Sequence, residues 1–371
     1  MNGAIGVKSE IDSDRPYWVA FHRVPYVGPV SMRRLREQFG TLEQAWSEDA
    51  RRLRAVLSER AVESFASVRR ELDVNIMMQQ LERDNISVMT LVDESYPRLL
   101  REVPSPPPVL FYRGTFSPED ETAVAVIGTR KVTPYGRAMA EALGSGLAQA
   151  GVTVVSGLAI GVDGIAHQAA LEAGGRTIAV LGGGLNHLYP YQHKRLASQI
   201  EGCGAVISDY EPDRKPDGPQ FPARNRIISG LSVGVVVVEA AERSGALITV
   251  DFAADQGRDV FAVPGPVGAM RSAGCNKLLR DGARLVRSAD DILADLQFAR
   301  TPIEIAVQQA LPLGESERRI LAVLTAEPQH IDEICELAAL SPHETGAHLL
   351  TMELQGLVRN SGAQHYIRAR G

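Results

Sequence analysis

Between Val124 and Gly183, short β-branched runs alternate with helix-patterned segments, and glycine punctuates each change: VAVIG, then RAMAEALGSGLAQAG, then VTVVSG, then GVDGIAHQAALEAGG, then RTIAVLGGG. Two periodicities alternating in this way read as consecutive βαβ units, hence a parallel sheet covered by helices. Each predicted strand ends in Gly or Ser-Gly and runs into a helix start. In a doubly wound sheet such turns gather along one edge, where backbone N–H groups and the positive ends of helices face outward together. That edge suits phosphate.

The pattern extends to both sides. AVISDY, VGVVVVEA and DVFAVPGP supply further strands, and SVMTLV and VLFYRG lead into the sheet around a proline run, Pro104 to Pro108, that cannot join a ladder. Upstream, apolar positions recur only at helical spacing. In this helical module VPYVGPVSMRRLREQFGTLEQAW is similar to a helix-hairpin-helix, with Val27-Gly28-Pro29 as the turn and Arg33, Arg34 and Arg36 on the next helix. A second, degenerate copy without the glycine lies in DARRLRAVLSERAVESF. These arginines either meet phosphate or are solvated on a helical bundle that makes protein contacts. Near the C-terminus three helical patterns precede two strand-like pieces, LVRNSG and QHYIRA, the order of a winged helix. Its recognition helix, SPHETGAHLLTMELQG, carries no Arg or Lys, which favours a protein contact over groove reading. The expected division is a helical module over 1–85, an α/β domain over 86–298, a linker over 299–313 and a winged-helix-like domain over 314–371.

A net charge of −6 over 371 residues limits what such a chain can bind. Sequence-independent nucleic-acid coating draws its free energy from clustered Lys and Arg, so at most a local basic cleft is allowed. Cys203, Cys275 and Cys335 form no CxxC pair; neither a zinc site nor a disulfide framework is expected, and all three read as small buried apolar residues. No apolar run reaches the length of a membrane span, and MNGAIGVKSEIDSDRPYW lacks a signal-peptide pattern, so a cytoplasmic protein is expected.

The candidate site residues lie where the strands end. Gly128 allows close backbone approach, Thr129 offers a hydroxyl and Arg130 a bidentate phosphate donor. The spacing is neither GxGxxG nor a Walker A loop, which disfavours NAD and P-loop chemistry; no cofactor is expected. Ser156 and Gly157 close the next strand. Asp163 and His167 follow, one helical turn apart, as half of an acid-base pair or as structural groups. His187, Tyr189, Tyr191, His193, Lys194 and Arg195 crowd one loop, where tyrosines interleaved with basic groups fit base stacking beside phosphates, or a cap on the sheet. Phe221 precedes Pro222, and Arg224, Asn225 and Arg226 are expected in the first turn of the next helix. Two arginines at a positive helix end call for an anion, unless Arg224 or Arg226 pairs with Glu211 or Asp209. Glu239, Ser244, Gly245 and Thr249 complete the edge. Leu278 and Leu279 fit either core or an exposed contact patch.

Taken together, VIGTRKVTPYG, VVSGLAIGVDGIAH, AVLGGGLNHLYP, FPARNRIISGLS, EAAERSGALITVDFA and VFAVPGP, in this order, resemble the DNA-processing protein family DprA, also called Smf, known from natural transformation in bacteria. The resemblance implies an extended Rossmann-like core, a preceding helical SAM-like or helix-hairpin-helix module and a winged-helix domain. It also implies single-stranded DNA binding, a homodimer, for which Leu278 and Leu279 are the candidate contact, and loading of the RecA recombinase past single-strand-binding protein, with no enzymatic activity. The implied DNA contacts fall at Arg130, around Lys194 and at Arg224 to Arg226. One loop departs from the family pattern, reading YPYQHKRL with His193 where many relatives carry Asn.

Two other classes compete. A nucleotide hydrolase of the lysine-decarboxylase-like Rossmann group would carry PGGxGTxxE where this chain reads EAAERSGALITVDFA. A pure protein adaptor would bind nothing polyanionic at the loop edge.

Overall fold

A computed structural model of the chain describes residues 10–296, 314–325, 329–354, 358–362 and 365–368. The linker expected over 299–313 lies outside the described residues. The chain divides into two compact units, 1–303 and 304–371.

The first unit opens with helices α1 (Glu10–His22), α2 (Pro29–Phe39), α3 (Leu42–Ser47), α4 (Glu59–Glu71) and α5 (Val74–Arg83). Next come β1 (Ser87–Thr90), the single turn α6 (Arg98–Arg101) and β2 (Val109–Gly114). The alternating region follows as β3 (Ala123–Ile127), α7 (Pro134–Gln149), β4 (Thr153–Ser156), α8 (Val162–Glu172), β5 (Thr177–Val180), α9 (Lys194–Cys203), β6 (Ala205–Ser208), α10 (Gln220–Gly230), β7 (Gly234–Val237), α11 (Ala246–Asp255), β8 (Asp259–Ala262), α12 (Ala273–Arg280), β9 (Arg284–Leu285) and α13 (Ala289–Asp295). The strands form one sheet in the order β1-β2-β6-β5-β4-β3-β7-β8-β9. From β6 to β9 all neighbours are parallel; β1 and β2 join antiparallel.

Successive strand residues point to opposite faces, so one apolar run feeds two cores. Ala125, Ile127, Val155, Val235 and Val237 pack on the face of α10, α11 and α12, while Val124, Val126, Val154 and Val236 pack against α7, α8 and α13. The N-terminal helices join this second face. Phe21, Trp46 and Phe65, whose ring centroids stand 5.1 to 5.4 Å apart, belong to the same apolar cluster as Phe111 of β2, Val206 of β6 and Leu196 and Ile200 of α9. The expected division near residue 85 thus falls inside one compact unit.

The second unit contains α14 (Glu315–Val323), β10 (Gln329–His330), α15 (Ile331–Ala338), α16 (Pro342–Leu354), β11 (Val358–Gly362) and β12 (His365–Arg368). Its antiparallel sheet runs β10-β12-β11 around a core of Ile320, Leu324, Ile334, Leu349, Met352 and Val358, a winged helix. The two-residue strands β9 and β10 were not expected from the sequence; they are too short to show a period. Among the described residues no helix is long and apolar enough to cross a membrane.

Candidate nucleic-acid interface

β3 stands at the centre of the parallel strands. From it the chain steps outward through β4, β5 and β6, then returns to the other side of β3 for β7, β8 and β9. At such a reversal the connections leaving the two central strands diverge and open a crevice beyond their carboxyl ends. Here the turn after β3 is tied to the end of β7, with Thr129 N donating to the Glu239 carbonyl oxygen at 2.7 Å. A Cβ on Gly128 would come within 2.7 Å of Val162 Cγ2 and 3.0 Å of Glu239 O, so glycine is what lets the turn, α8 and β7 close together. The crevice encloses about 490 Å³ and is lined by Gly128, Thr129, Arg130, Phe221, Arg224, Asn225, Ser244 and Thr249, among others. Residues from three separate segments, the turn after β3, the first turns of α10 and the turn leading into α11, therefore meet in one cavity.

Arg130 is exposed and, among the described residues, has no carboxylate partner. Its guanidinium carbon lies 5.6 Å from the centre of the Phe221 ring, whose other neighbour is Tyr189 at 5.6 Å. Tyr189 is 50% exposed and Tyr191 75% exposed, with Lys194 Nζ 6.0 Å from the Tyr191 ring centre. The loop carrying them is fastened by His193, whose Nδ1 donates to the Leu158 carbonyl at 2.8 Å. Cations and partly uncovered aromatic rings thus stand side by side at the rim.

The other two arginines require correction. Helix α10 begins at Gln220, so Pro222 lies within its first turn and Arg224 and Arg226 fall beyond it. Arg224 is buried and turned inward: its Nη1 donates to the carbonyl oxygens of Gly157, at 2.9 Å, and of Val180, and its Nε to Asn225 Oδ1 at 3.2 Å. Burial lowers its pKa to about 10, with the charge of buried Asp163 opposing the fall, so it remains a cation at neutral pH. Arg226 is neutralised by Asp209 at 2.6 Å and also donates to Ser105 O. Asp209 is itself held from the N-terminal module, through its carbonyl oxygen accepting from His22 Nε2 at 2.9 Å. The helix-end conflict that called for an anion therefore does not arise: both arginines lie past the first turn, Arg224 bound to backbone carbonyls and Arg226 to Asp209.

Asp163 and His167 do not form an acid-base pair. The Asp163 carboxylate accepts from Gly157 N at 3.1 Å and Ala159 N at 3.4 Å; burial raises its pKa, and the Arg224 charge opposes that rise. Thr177 Oγ1 donates its proton to Val154 O, so His167 Nδ1 must be the donor in the 2.6 Å bond to Thr177 Oγ1. Desolvation lowers the His167 pKa to about 3, leaving a neutral ring at physiological pH. Asp163 is committed to the turn after β4 and His167 to Thr177 at the start of β5, so the two are held by different partners.

Of the remaining candidates, Ser156 is buried, its Oγ donating to Val126 O at 2.6 Å, and Thr249 is buried at the crevice wall. Gly157 has no room for a side chain: a Cβ would come 2.6 Å from Arg224 Nη2. Glu239 accepts from Thr133 N at 2.9 Å and shapes the start of α7. Arg33 and Arg34 are exposed on α2, while Arg36 pairs with Asp14 at 3.5 Å. Leu278 and Leu279 are half-buried against the core. Cys275 and Cys335 are buried as expected; Cys203 is not, ending α9 partly exposed. Ile160, 46% exposed beside Arg130, escaped sequence reading because a lone apolar residue in a loop carries no signal.

Comparison with known proteins follows this geometry. Residues 87–297 match the family model of DNA recombination-mediator protein A, and residues 304–363 the DprA winged helix domain. Protein Smf of Synechocystis is 35% identical over 96% of this chain and 99% of its own length. DNA processing protein DprA of Streptococcus pneumoniae is 45% identical over 56% of this chain and 74% of its own. The X-ray structure of that pneumococcal protein superposes with a TM-score of 0.68 at 35% identity, covering 76% of this chain and 97% of the other. DNA processing protein A of Helicobacter pylori, whose structure was reported for its single-stranded DNA binding mode, gives a TM-score of 0.52 at 31% identity over 57% of this chain and 95% of that one. A family model covering more than half of the sequence, a relative aligned nearly end to end and a shared sheet architecture make this chain a member of the DprA/Smf family.

Proposed function

We propose that this protein binds single-stranded DNA without sequence preference at the crevice beyond β3 and β7, during natural transformation and recombination. It then delivers the strand to the RecA recombinase past single-strand-binding protein. The observation that carries the reading is the rim itself: an exposed Arg130 against Phe221, with Tyr189 beyond it. A guanidinium meets phosphate, an aromatic ring meets a base of any kind, and each stacked base contributes about 1–3 kcal/mol irrespective of sequence. The reported DNA-binding mode of the Helicobacter pylori relative supports the same ligand.

In this reading Gly128, Thr129, Arg130, Phe221, Asn225, Ser244 and Lys194 touch the strand. Ser156, Gly157, Arg224 and Thr249 hold the crevice in shape, and Arg33 and Arg34 offer a secondary contact. The protein acts in the cytoplasm as a homodimer through the surface that includes Leu278 and Leu279, and it catalyses no reaction of its own. Anisotropy with labelled homothymidine and mixed-sequence oligonucleotides tests the core of this. Equal affinities that fall with salt, and a loss of about tenfold in Arg130→Ala, are expected. No retention of single-stranded DNA at low salt would leave only the adaptor reading. Acceleration of RecA filament assembly on strands coated with single-strand-binding protein tests the delivery step.

A further inference from the structure

A second cavity, of about 980 Å³, adjoins the crevice and shares Arg130 with it. It is a groove floored by one face of α8, where Gly161, Gly164, Gln168 and Glu172 recur at helical spacing. One wall is the start of α7; the other is the loop entering α9, brought so close that a side chain on Gly164 would strike the His193 ring.

The groove is electrostatically lopsided. At the mouth, Lys131 and Arg195 are exposed and, among the described residues, have no carboxylate partner. At the far end Arg137 is held by Glu141 at 3.6 Å, and Glu172 accepts from Gln168 at 2.7 Å. Ile160, nearly half exposed, lies at the joint with the crevice and lines both the groove and the small recess containing Tyr189 and Phe221. An uncovered apolar side chain sharing a cavity with three exposed cations is placed to meet a flat apolar face bracketed by anions, which is what a base between two phosphates presents.

We infer that the strand leaving the crevice continues over Ile160 into the mouth of this groove, where Lys131 and Arg195 hold its next phosphates and the carboxylates beyond stop it. The inference rests on the proposed reading of the crevice as a single-stranded DNA site. It gives the strand a bent path and a direction of exit, set by α8.

The test is a length series on the full chain. Homothymidine oligonucleotides of about 4 nucleotides fill the crevice alone, and those of about 12 reach the groove. The double variant Lys131→Ala/Arg195→Ala removes only exposed side chains; Arg83→Ala, an exposed cation at the end of α5, controls for loss of surface charge. The double variant should bind the short oligonucleotide like wild type and the long one about tenfold more weakly, with a salt slope shallower by about 1.4. Ile160→Ser should reproduce part of the affinity loss without changing the slope. Unchanged binding of the long oligonucleotide, or equal loss at both lengths, overturns the groove while leaving the crevice standing. Wild-type protein that binds neither length overturns both.

Discussion

Arg224 and Arg130 line the same crevice and make opposite demands. Removing the buried Arg224 side chain strands the Gly157 and Val180 carbonyls and leaves Asp163 buried without its counter-charge. Arg224→Ala should therefore cost about 3–5 kcal/mol in urea unfolding, and Arg224→Lys should recover only part, since an ammonium cannot span both carbonyls. Arg130→Ala should stay within about 0.5 kcal/mol of wild type while losing DNA. If Arg224→Ala instead kept its stability and lost DNA, the inward guanidinium would be misassigned. His167 gives a second handle. Its folded pKa, about 3, lies below the ordinary value, so as pH falls the unfolded chain takes up this proton first. The stability it supports is complete above about pH 6.5 and is lost as pH falls toward 3, about 2 kcal/mol of it by pH 5. His22, lowered by burial, acts in the same direction, whereas Asp163, raised by burial, opposes them. Urea midpoints at pH 5 and 7.5 should draw closer together in His167→Gln than in wild type.

At the scale of elements, the central strands were legible because each is a β-branched run, closed by glycine in β3, β4 and β5, and the turns they feed were legible with them. The start of α10 was not. A proline reads as a boundary, yet Pro222 is tolerated inside the first turn, where its missing N–H has no partner to lose, and the shift carries both arginines away from the helix end. The Arg226–Asp209 pair was one of the pairings the sequence offered, but nothing in the spacing chose it over an anion, and nothing showed that the tie between β3 and β7 runs through a backbone carbonyl. The helical periodicity of the N-terminal module announced a buried face without naming what covers it. The structure supplies β2 and α9. A fragment starting at residue 86 would consequently uncover Phe111, Leu196 and Ile200, and should bind a hydrophobic dye and melt below the full chain. Phe21→Ala, which empties the aromatic cluster over that seam, should cost about 3–5 kcal/mol. A fragment as stable as the intact protein would mean the shared core contributes little.

For the whole molecule the governing fact is an acidic chain with a group of exposed cations beside the crevice. A net charge of −6 gives no long-range pull toward a polyanion, so the salt dependence of binding should count local phosphate contacts and nothing more. Arg130, Lys131, Lys194 and Arg195 are four such cations near the crevice, and Arg33 and Arg34 add two on the hairpin. Single strands release about 0.7 counterion per phosphate neutralised, so an oligonucleotide long enough to reach all six should show a log–log salt slope of about −4. In Arg33→Ala/Arg34→Ala the slope should relax to about −3 while a short oligonucleotide is bound as before. A slope unchanged in that variant would confine the DNA to the sheet edge and leave the hairpin to protein contacts. A slope much steeper than −6 would require a basic surface elsewhere, and the crevice would then be a minor part of the footprint.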